Sequence, residues 1–346
     1  MVSSPFLSLR MEALRDVLRE NKLEAYLLTN LSDVYYFTDF KTEGYYAFIG
    51  LQDAWLFVPS LLFQQTKAHT SGFECIQGTF FPSLQKVTKA HKIKKIGFDP
   101  DQLDYSLGAA LKKMGFIPKR GLVTQLRAVK DALELDRMRR ANHLAALGAD
   151  FVKKRLKPGR TERSAAADLA HFFNKKSDGV AFDLIIAAGP HSSHPHHVTS
   201  DYKMKAGEPV ICDIGAMVEG YRSDLTRTFP LGRISPSFQR VFRIVEKAQN
   251  EGICRIKPGV TAGSVDEAAR NVIKKHGFGK EFVHSTGHGV GIDIHEHPRL
   301  GPGAKDKLKA GMVITVEPGI YIPGRFGVRI EDTLLVTPFG SEILTR

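Results

Sequence analysis

Two pairs of acidic residues limit what this chain can fold into. Asp213 and Asp224 frame the stretch CDIGAMVEGYRSDLTRTF, where β-favouring residues flank Val218-Glu219-Gly220 and glycine supplies the freedom of a tight reversal. The segment reads as a hairpin. The midpoint of the two aspartates falls between Val218 and Glu219, so a turn centred there makes them direct cross-strand partners, with β-carbons about 5 Å apart. Glu317 and Glu331, in VITVEPGIYIPGRFGVRIEDTLLV, have their midpoint on Gly324, inside the turn signal Pro323-Gly324-Arg325. A second hairpin then presents a second carboxylate pair.

Four carboxylates facing one another repel, and if buried they take up protons unless positive charge sits between them. A divalent metal is the usual solution. His288, in HSTGHGVG, lies between the two pairs in the chain and offers a nitrogen ligand. Carboxylate oxygens with one imidazole suit Mn, Co, Fe or Zn, and four carboxylates can bridge two ions about 3.5–4 Å apart. The expected metal ligands are Asp213, Asp224, His288, Glu317 and Glu331.

At 346 residues the chain is long enough for two domains, and 42% hydrophobic with 25% charged residues is ordinary for a globular protein. No membrane span is expected, and the opening MVSSPFLSLRMEALRDVL meets charge too early for a secretory leader. Three cysteines, Cys75, Cys212 and Cys254, lack any CxxC spacing and point to neither a disulfide framework nor a zinc ribbon. A cytoplasmic location is expected. The net charge of +12 raises the question of nucleic acid, but the lysines form scattered runs without stacking aromatics, as on solvated faces. No nucleic-acid partner is expected, and the glycines around His288 lack the GxxxxGK[ST] pattern of a phosphate loop.

Residues 1–125 alternate amphipathic helical stretches such as MEALRDVLRENK with short apolar strands such as AYLLTN, AWLFVP and KKIGFDP, which predicts a small α/β domain. Asp131 and Glu134 stand in capping-box spacing and open a helical stretch, so a second domain is expected over 126–346. Within it LKPGRTERS at 156–164 and IKPGVTAGS at 256–264 recur one hundred residues apart. Two copies suggest a pseudo-twofold α/β domain whose halves meet around a central site, each contributing one carboxylate hairpin.

The ordered strings PHH, DIGA, GYRSDLTRTF, GHGVGIDIHE, EPGIY and VRIED resemble those of the pita-bread metallopeptidases, family M24, in particular the Xaa-Pro branch containing prolidase and aminopeptidase P. The resemblance runs from about residue 130 to the C-terminus and implies that fold, the same five dinuclear ligands, and Glu317 as proton acceptor and shuttle. It also points to His196, His295 and Arg329 around the substrate. Histidines can donate hydrogen bonds to a developing oxyanion and protonate a leaving nitrogen. Arg299, four residues after His295, is a candidate for gripping a substrate carboxylate. Of the eight histidines in 191–197 and 284–297, only His196, His288 and His295 are assigned roles.

The resemblance further implies short proline-containing peptides as substrates, two divalent ions per subunit with Mn foremost and Co, Zn or Fe as alternatives, and a homodimer. In the Xaa-Pro branch an N-terminal domain overhangs the active site, often a partner subunit's, and restricts substrate length. Two alternatives stand beside this reading. One is a non-peptidase C–N hydrolase on the same scaffold, and the other is a catalytically silent binding module, against which the complete ligand set counts.

Overall fold

In the computed structural model, residues 5–41 and 44–346 are described; residues 1–4, part of the opening stretch read above for charge, and 42–43 lie outside them. The chain divides into two compact units, Met1–Arg127 and Ala128–Arg346.

The first unit carries helices α1 (Pro5–Glu20), α2 (Leu31–Thr38), α3 (Phe63–His69), α4 (Phe80–Ala90), α5 (Tyr105–Lys113) and α6 (Leu122–Ala128). Its strands are β1 (Ala25–Leu28), β2 (Tyr46–Gly50), β3 (Ala54–Val58), β4 (Glu74–Gln77), β5 (Ile96–Phe98) and β6 (Ile117–Pro118). They form one sheet in the order β4-β3-β2-β1-β5-β6. The middle of the sheet is antiparallel, and the outer pairs β3–β4, β1–β5 and β5–β6 are parallel. Every residue of β1 and β3 is buried, as continuous apolar runs require when both sheet faces are covered. Phe48, Trp55, Phe57, Leu84 and Phe98 make up much of that core.

The second unit opens with α7 (Ala132–Lys153), whose Asp131–Glu134 capping box is formed as the spacing predicts. It continues with α8 (Glu162–Asn174), β7 (Gly179–Val180), β8 (Ile185–Ala188), β9 (Pro209–Ile214), β10 (Ala216–Val218), β11 (Tyr221–Arg222) and β12 (Leu225–Pro230). A second helix pair follows, α9 (Pro236–Arg255) and α10 (Ala262–Lys275). The remaining strands are β13 (Gly287–Gly289), β14 (Glu296–Leu300), β15 (Val313–Val316), β16 (Gly319–Ile322), β17 (Phe326–Arg329), β18 (Asp332–Val336) and β19 (Ser341–Ile343). Strand orders are β12-β9-β8 and β11-β10-β7 in the first half, and β14-β13-β15-β18-β19 with the pair β16-β17 in the second.

The sequence echo has a structural counterpart. Thr161 and Thr261 cap α8 and α10, each accepting a hydrogen bond from the serine three residues on. Each threonine also makes a lone antiparallel bridge, to Lys203 and Lys307 respectively. Two helix pairs, each packed on its own strands, thus repeat along the unit.

The two acid hairpins differ in register. β15 and β18 pair Val316 with Asp332, and β16 and β17 pair Gly319 with Arg329, so Glu317 and Glu331 stand opposite each other in the gap between the two ladders. The aspartate pair corrects the expectation. Asp213 faces Thr226, not Asp224, because the reversal lies at Glu219-Gly220, where φ is +45° and +73° and Val218 closes on Tyr221. A two-residue turn of this kind needs positive φ at both central residues, which puts its centre one residue later than the aspartate midpoint. That displacement moves each partner by two and keeps the side chains on one face.

Candidate metal centre

The structure brings Asp213, Asp224, His288, Glu317 and Glu331 together in the wall of one cavity of about 710 Å³ in the second unit. His196, His295, Arg299 and Arg329 line the same cavity. His288 Nε2 lies 3.5 Å from Asp224 Oδ2 and 3.4 Å from Glu317 Oε1. Asp224, His288 and Glu331 each bring a ligand atom within 4.8 Å of the others.

The chemistry of these donors fits a cation. His288 Nδ1 sits 2.9 Å from the Gly289 carbonyl, which can only accept, so the ring proton is on Nδ1 and Nε2 turns a bare lone pair toward two carboxylates. Burial pushes this imidazole down to about 4 despite that hydrogen bond, so it stays neutral. Asp213 Oδ1 is buried and accepts no hydrogen bond from the described residues. Lone pairs aimed at lone pairs, with an orphaned carboxylate oxygen beside them, are repulsive unless positive charge lies between.

Without such charge the acids are strongly perturbed. Burial and the charges of Glu331, Asp213 and Glu317 hold Asp224 well above the usual carboxylate range. Glu331 is raised likewise, by burial and by Glu317 and Asp213. Burial pushes Glu317 up to about 8 against the pull of Arg329. A cluster that resists ionisation alone is suited to take up cations, which favour the ionised acids.

Arg329 is held from every side. Its guanidinium donates to Asp213 Oδ2 at 2.7 Å, Thr226 Oγ1 at 3.1 Å, the Tyr321 hydroxyl at 2.9 Å and the Pro195 carbonyl at 3.1 Å. Burial opposes its charge, but facing Tyr321, Asp213 and Glu317 keep it protonated. So saturated, it fixes the Asp213 carboxylate and the backbone carbonyl of Pro195, next to His196. His295 stacks edge-on to His288, ring centres 4.4 Å apart, and burial with the nearby His196 lowers its pKa. Arg299 is exposed at the cavity wall, its Nε on Ser285 Oγ at 2.7 Å.

Sequence reasoning passed over His284 in this wall and Tyr321 behind it. His284 donates from Nδ1 to the Ser285 carbonyl at 2.7 Å and accepts at Nε2 from the Tyr321 hydroxyl at 2.8 Å. Burial and Arg329 push it down to about 4. Asp213, Arg329, Tyr321 and His284 thus form one hydrogen-bonded chain along the cavity. The signal was present, because His284 lies four residues before His288 in the same histidine segment, and both line the cavity. The other histidines stand aside: His297 approaches Asp306 at 3.7 Å, while His191 and His197 turn toward Glu162.

A pseudo-twofold α/β unit with four carboxylates, one imidazole turned toward them and a histidine-rimmed cavity suits a metal-dependent hydrolase. Residues 136–338 match the model of metallopeptidase family M24, and residues 10–129 match the Creatinase/Prolidase N-terminal domain. The chain belongs to metallopeptidase family M24. It is 34% identical over 343 residues to the Xaa-Pro dipeptidase of Pyrococcus furiosus, covering 97% of each chain. The solved Xaa-Pro dipeptidase from Bacillus anthracis is similar over 98% of both chains at 35% identity, with a TM-score of 0.94. The X-Pro aminopeptidase from Thermotoga maritima is similar over 97% of both at 33% identity, with a TM-score of 0.91.

Proposed function

We propose that this protein hydrolyses the Xaa-Pro bond of short peptides with two divalent ions held by Asp213, Asp224, His288, Glu317 and Glu331. One observation carries the reading: both acid pairs and the bare Nε2 of His288 converge in a single cavity. Bound there, the ions would supply a water of lowered pKa and a Lewis acid for the scissile carbonyl.

The chain's own groups do the rest. Glu317 takes the proton of the attacking water and delivers it to the proline nitrogen as the C–N bond breaks. His196 and His295 donate ring N–H bonds to the carbonyl oxygen as it becomes an oxyanion. Arg299 takes the free carboxylate of a dipeptide or the acceptor groups of a longer chain. An Xaa-Pro bond has no amide N–H, so its recognition here rests on groups other than a partner for that donor.

All of these groups fall in residues 126–346, which we assign as the catalytic domain, with residues 1–125 limiting substrate length. Manganese is the ion we assign, since a carboxylate-rich set with one imidazole suits a hard ion. A cytoplasmic homodimer completes the proposal, resting on the resemblance in the sequence.

The test is hydrolysis of Xaa-Pro dipeptides beside Xaa-Pro-Yaa tripeptides, using metal-stripped protein reloaded with Mn, Co or Zn. Cleavage of tripeptides assigns an aminopeptidase P activity, and cleavage of dipeptides alone a prolidase activity. Failure on both with every ion would sink the proposal and favour a different C–N bond or a binding role.

A further inference from the structure

Outside the metal centre, the most elaborate polar cluster in the second unit surrounds Glu162, the first residue of α8. Its side chain has 0% exposure, yet it receives five hydrogen bonds. Oε1 accepts from the Ala188 N–H at 2.8 Å and His191 Nδ1 at 3.0 Å. Oε2 accepts from His197 Nε2 at 2.9 Å, the Ser200 N–H at 3.0 Å and Ser200 Oγ at 2.7 Å. Every donor lies between residues 188 and 200. Burial alone would raise this carboxyl, but the donors outweigh it and hold it below the usual range.

The clamped segment is the one that carries His196. It runs from the end of β8 through a 3-10 turn, Gly189–Ser193, and its other side bonds to β17. Ser192 Oγ accepts from the Gly327 N–H at 2.9 Å, and the Pro195 carbonyl accepts from Arg329. The His196 ring makes no hydrogen bond among the described residues. Its place in the cavity is therefore set by its backbone, and that backbone is held between Glu162 on one side and β17 on the other.

A metal ion at Glu162, His191 and His197 is the rival occupant of this cluster, since their ligand atoms fall within 4.8 Å of one another. The distances argue against it. At the metal centre the imidazole nitrogen stands 3.4 and 3.5 Å from carboxylate oxygens, too far for hydrogen bonds and suited to an ion between them. At Glu162 the nitrogen–oxygen separations of 2.9 and 3.0 Å are those of N–H donors on a carboxylate. Backbone and serine donors fill the carboxylate's remaining lone pairs, which leaves no room for an ion.

We propose that Glu162 is a positioning residue for the reaction: its five-donor clamp fixes the 188–200 segment so that His196 meets the carbonyl oxygen as charge develops there. The proposal rests on the Xaa-Pro reading for its substrate, but the clamp itself can be read without one. Glu162→Gln replaces one acceptor by an N–H₂ group that faces donors, so one arm of the clamp must open. Because His196 acts on the developing oxyanion, the loss falls on kcat, by about 10–100-fold, while KM stays within about twofold. The His197 pair gives the conservative check. Gln can present an N–H where Nε2 lies, so His197→Gln keeps kcat within about threefold of the parent, whereas His197→Ala loses about tenfold.

Hydrogen–deuterium exchange on manganese-loaded protein supplies a readout independent of activity: segment 188–200 exchanges faster in Glu162→Gln and His197→Ala than in the parent and His197→Gln. An inactive parent would defeat the Xaa-Pro reading, while exchange would still decide the clamp. Unchanged exchange in Glu162→Gln, an unchanged kcat beside an active parent, or His197→Gln as slow as His197→Ala would each overturn the proposal. If Glu162→Gln does not fold, the His197 pair decides alone. Zinc titration gives the last check. Saturation at the same stoichiometry in parent and Glu162→Gln supports the clamp, and a zinc equivalent lost in the variant would make the cluster a metal site and overturn it.

Discussion

In the first half of the second unit, Asp213 on β9 and Asp224 just before β12 flank a two-residue turn and are offset diagonally, Asp213 facing Thr226. In the second half, Glu317 and Glu331 stand directly opposite, at a break between two ladders that keep a common register. At that break the backbones leave each other. Glu317 donates its N–H to the Thr286 carbonyl, next to the His288 segment, and Glu331 donates to the Thr226 carbonyl, in the first half. The comparison teaches that the repeat supplies a scaffold, with Thr161 and Thr261 as equivalent caps, while the chemistry depends on where each half departs from regular pairing.

If both halves are needed for one centre, removing one acid from either should be equally damaging. Asp224→Ala in the first half and Glu331→Ala in the second are each expected to lower Xaa-Pro hydrolysis by about 10³-fold or more. Folding should survive, because each deletion relieves repulsion among buried carboxylates in the metal-free chain. Circular dichroism and thermal unfolding of the metal-free variants check this. An unfolded variant from one half only would break the equivalence and make that half's acids structural.

Metal removal sharpens the same point. In the stripped protein the folded-state pKa of Glu317 is raised from 4.5 to about 8, and Asp224 and Glu331 are raised too. A carboxyl whose folded pKa lies above its unfolded value adds stability that is fully present below the unfolded pKa and is lost as pH rises through the folded one. The stripped protein should therefore lose stability between pH 4.5 and about 8. Divalent ions bind the ionised acids more tightly over the same range. The Tm gap between loaded and stripped protein should widen across that window, and a constant gap would contradict the buried-cluster account.

The halves also differ in how they hold their histidine segments. The first uses Glu162 at the start of α8; at the equivalent place in α10 stands Ala262, and the second half uses Asp266 one turn further on. Asp266, 1% exposed, accepts from the Thr286 N–H and hydroxyl and from Arg270, which in turn donates to the Phe282 and His284 carbonyls. Asp266→Asn is expected to cost about 2–4 kcal/mol of stability, because it leaves a mostly buried guanidinium without its counter-charge. Denaturant unfolding measures it, and a loss below 1 kcal/mol would mean that this anchor carries far less than its geometry implies.

Much of this was legible in the sequence, and the failures have physical causes. The glutamate register could be read because the turn around Gly324 is symmetric and the ladders on both sides keep one register. The aspartate register could not, because the turn's first positive-φ position is occupied by Glu219, which does not advertise that conformation. Glu219 is met there by Arg137 and Arg140 from α7, contacts that no local pattern announces. His284 was set aside because its aim depends on Tyr321, 37 residues away. Glu162 resembled an ordinary acid in a first helical turn, and only the fold shows what converges on it.

The smallest expected effect isolates the turn itself. Gly324 has φ +69°, and a β-carbon built on it meets nothing within 4 Å. Alanine there adds backbone strain without a clash, at a cost of about 1 kcal/mol. Because the ladder β15–β18 holds the glutamate register independently of the turn, metal stoichiometry should be unchanged and kcat should stay within about twofold of the parent. Metal analysis and kinetics on Gly324→Ala check both. If that substitution instead lowered metal occupancy, the turn rather than the flanking ladder would set where Glu317 and Glu331 meet, and the two hairpins would share one register rule.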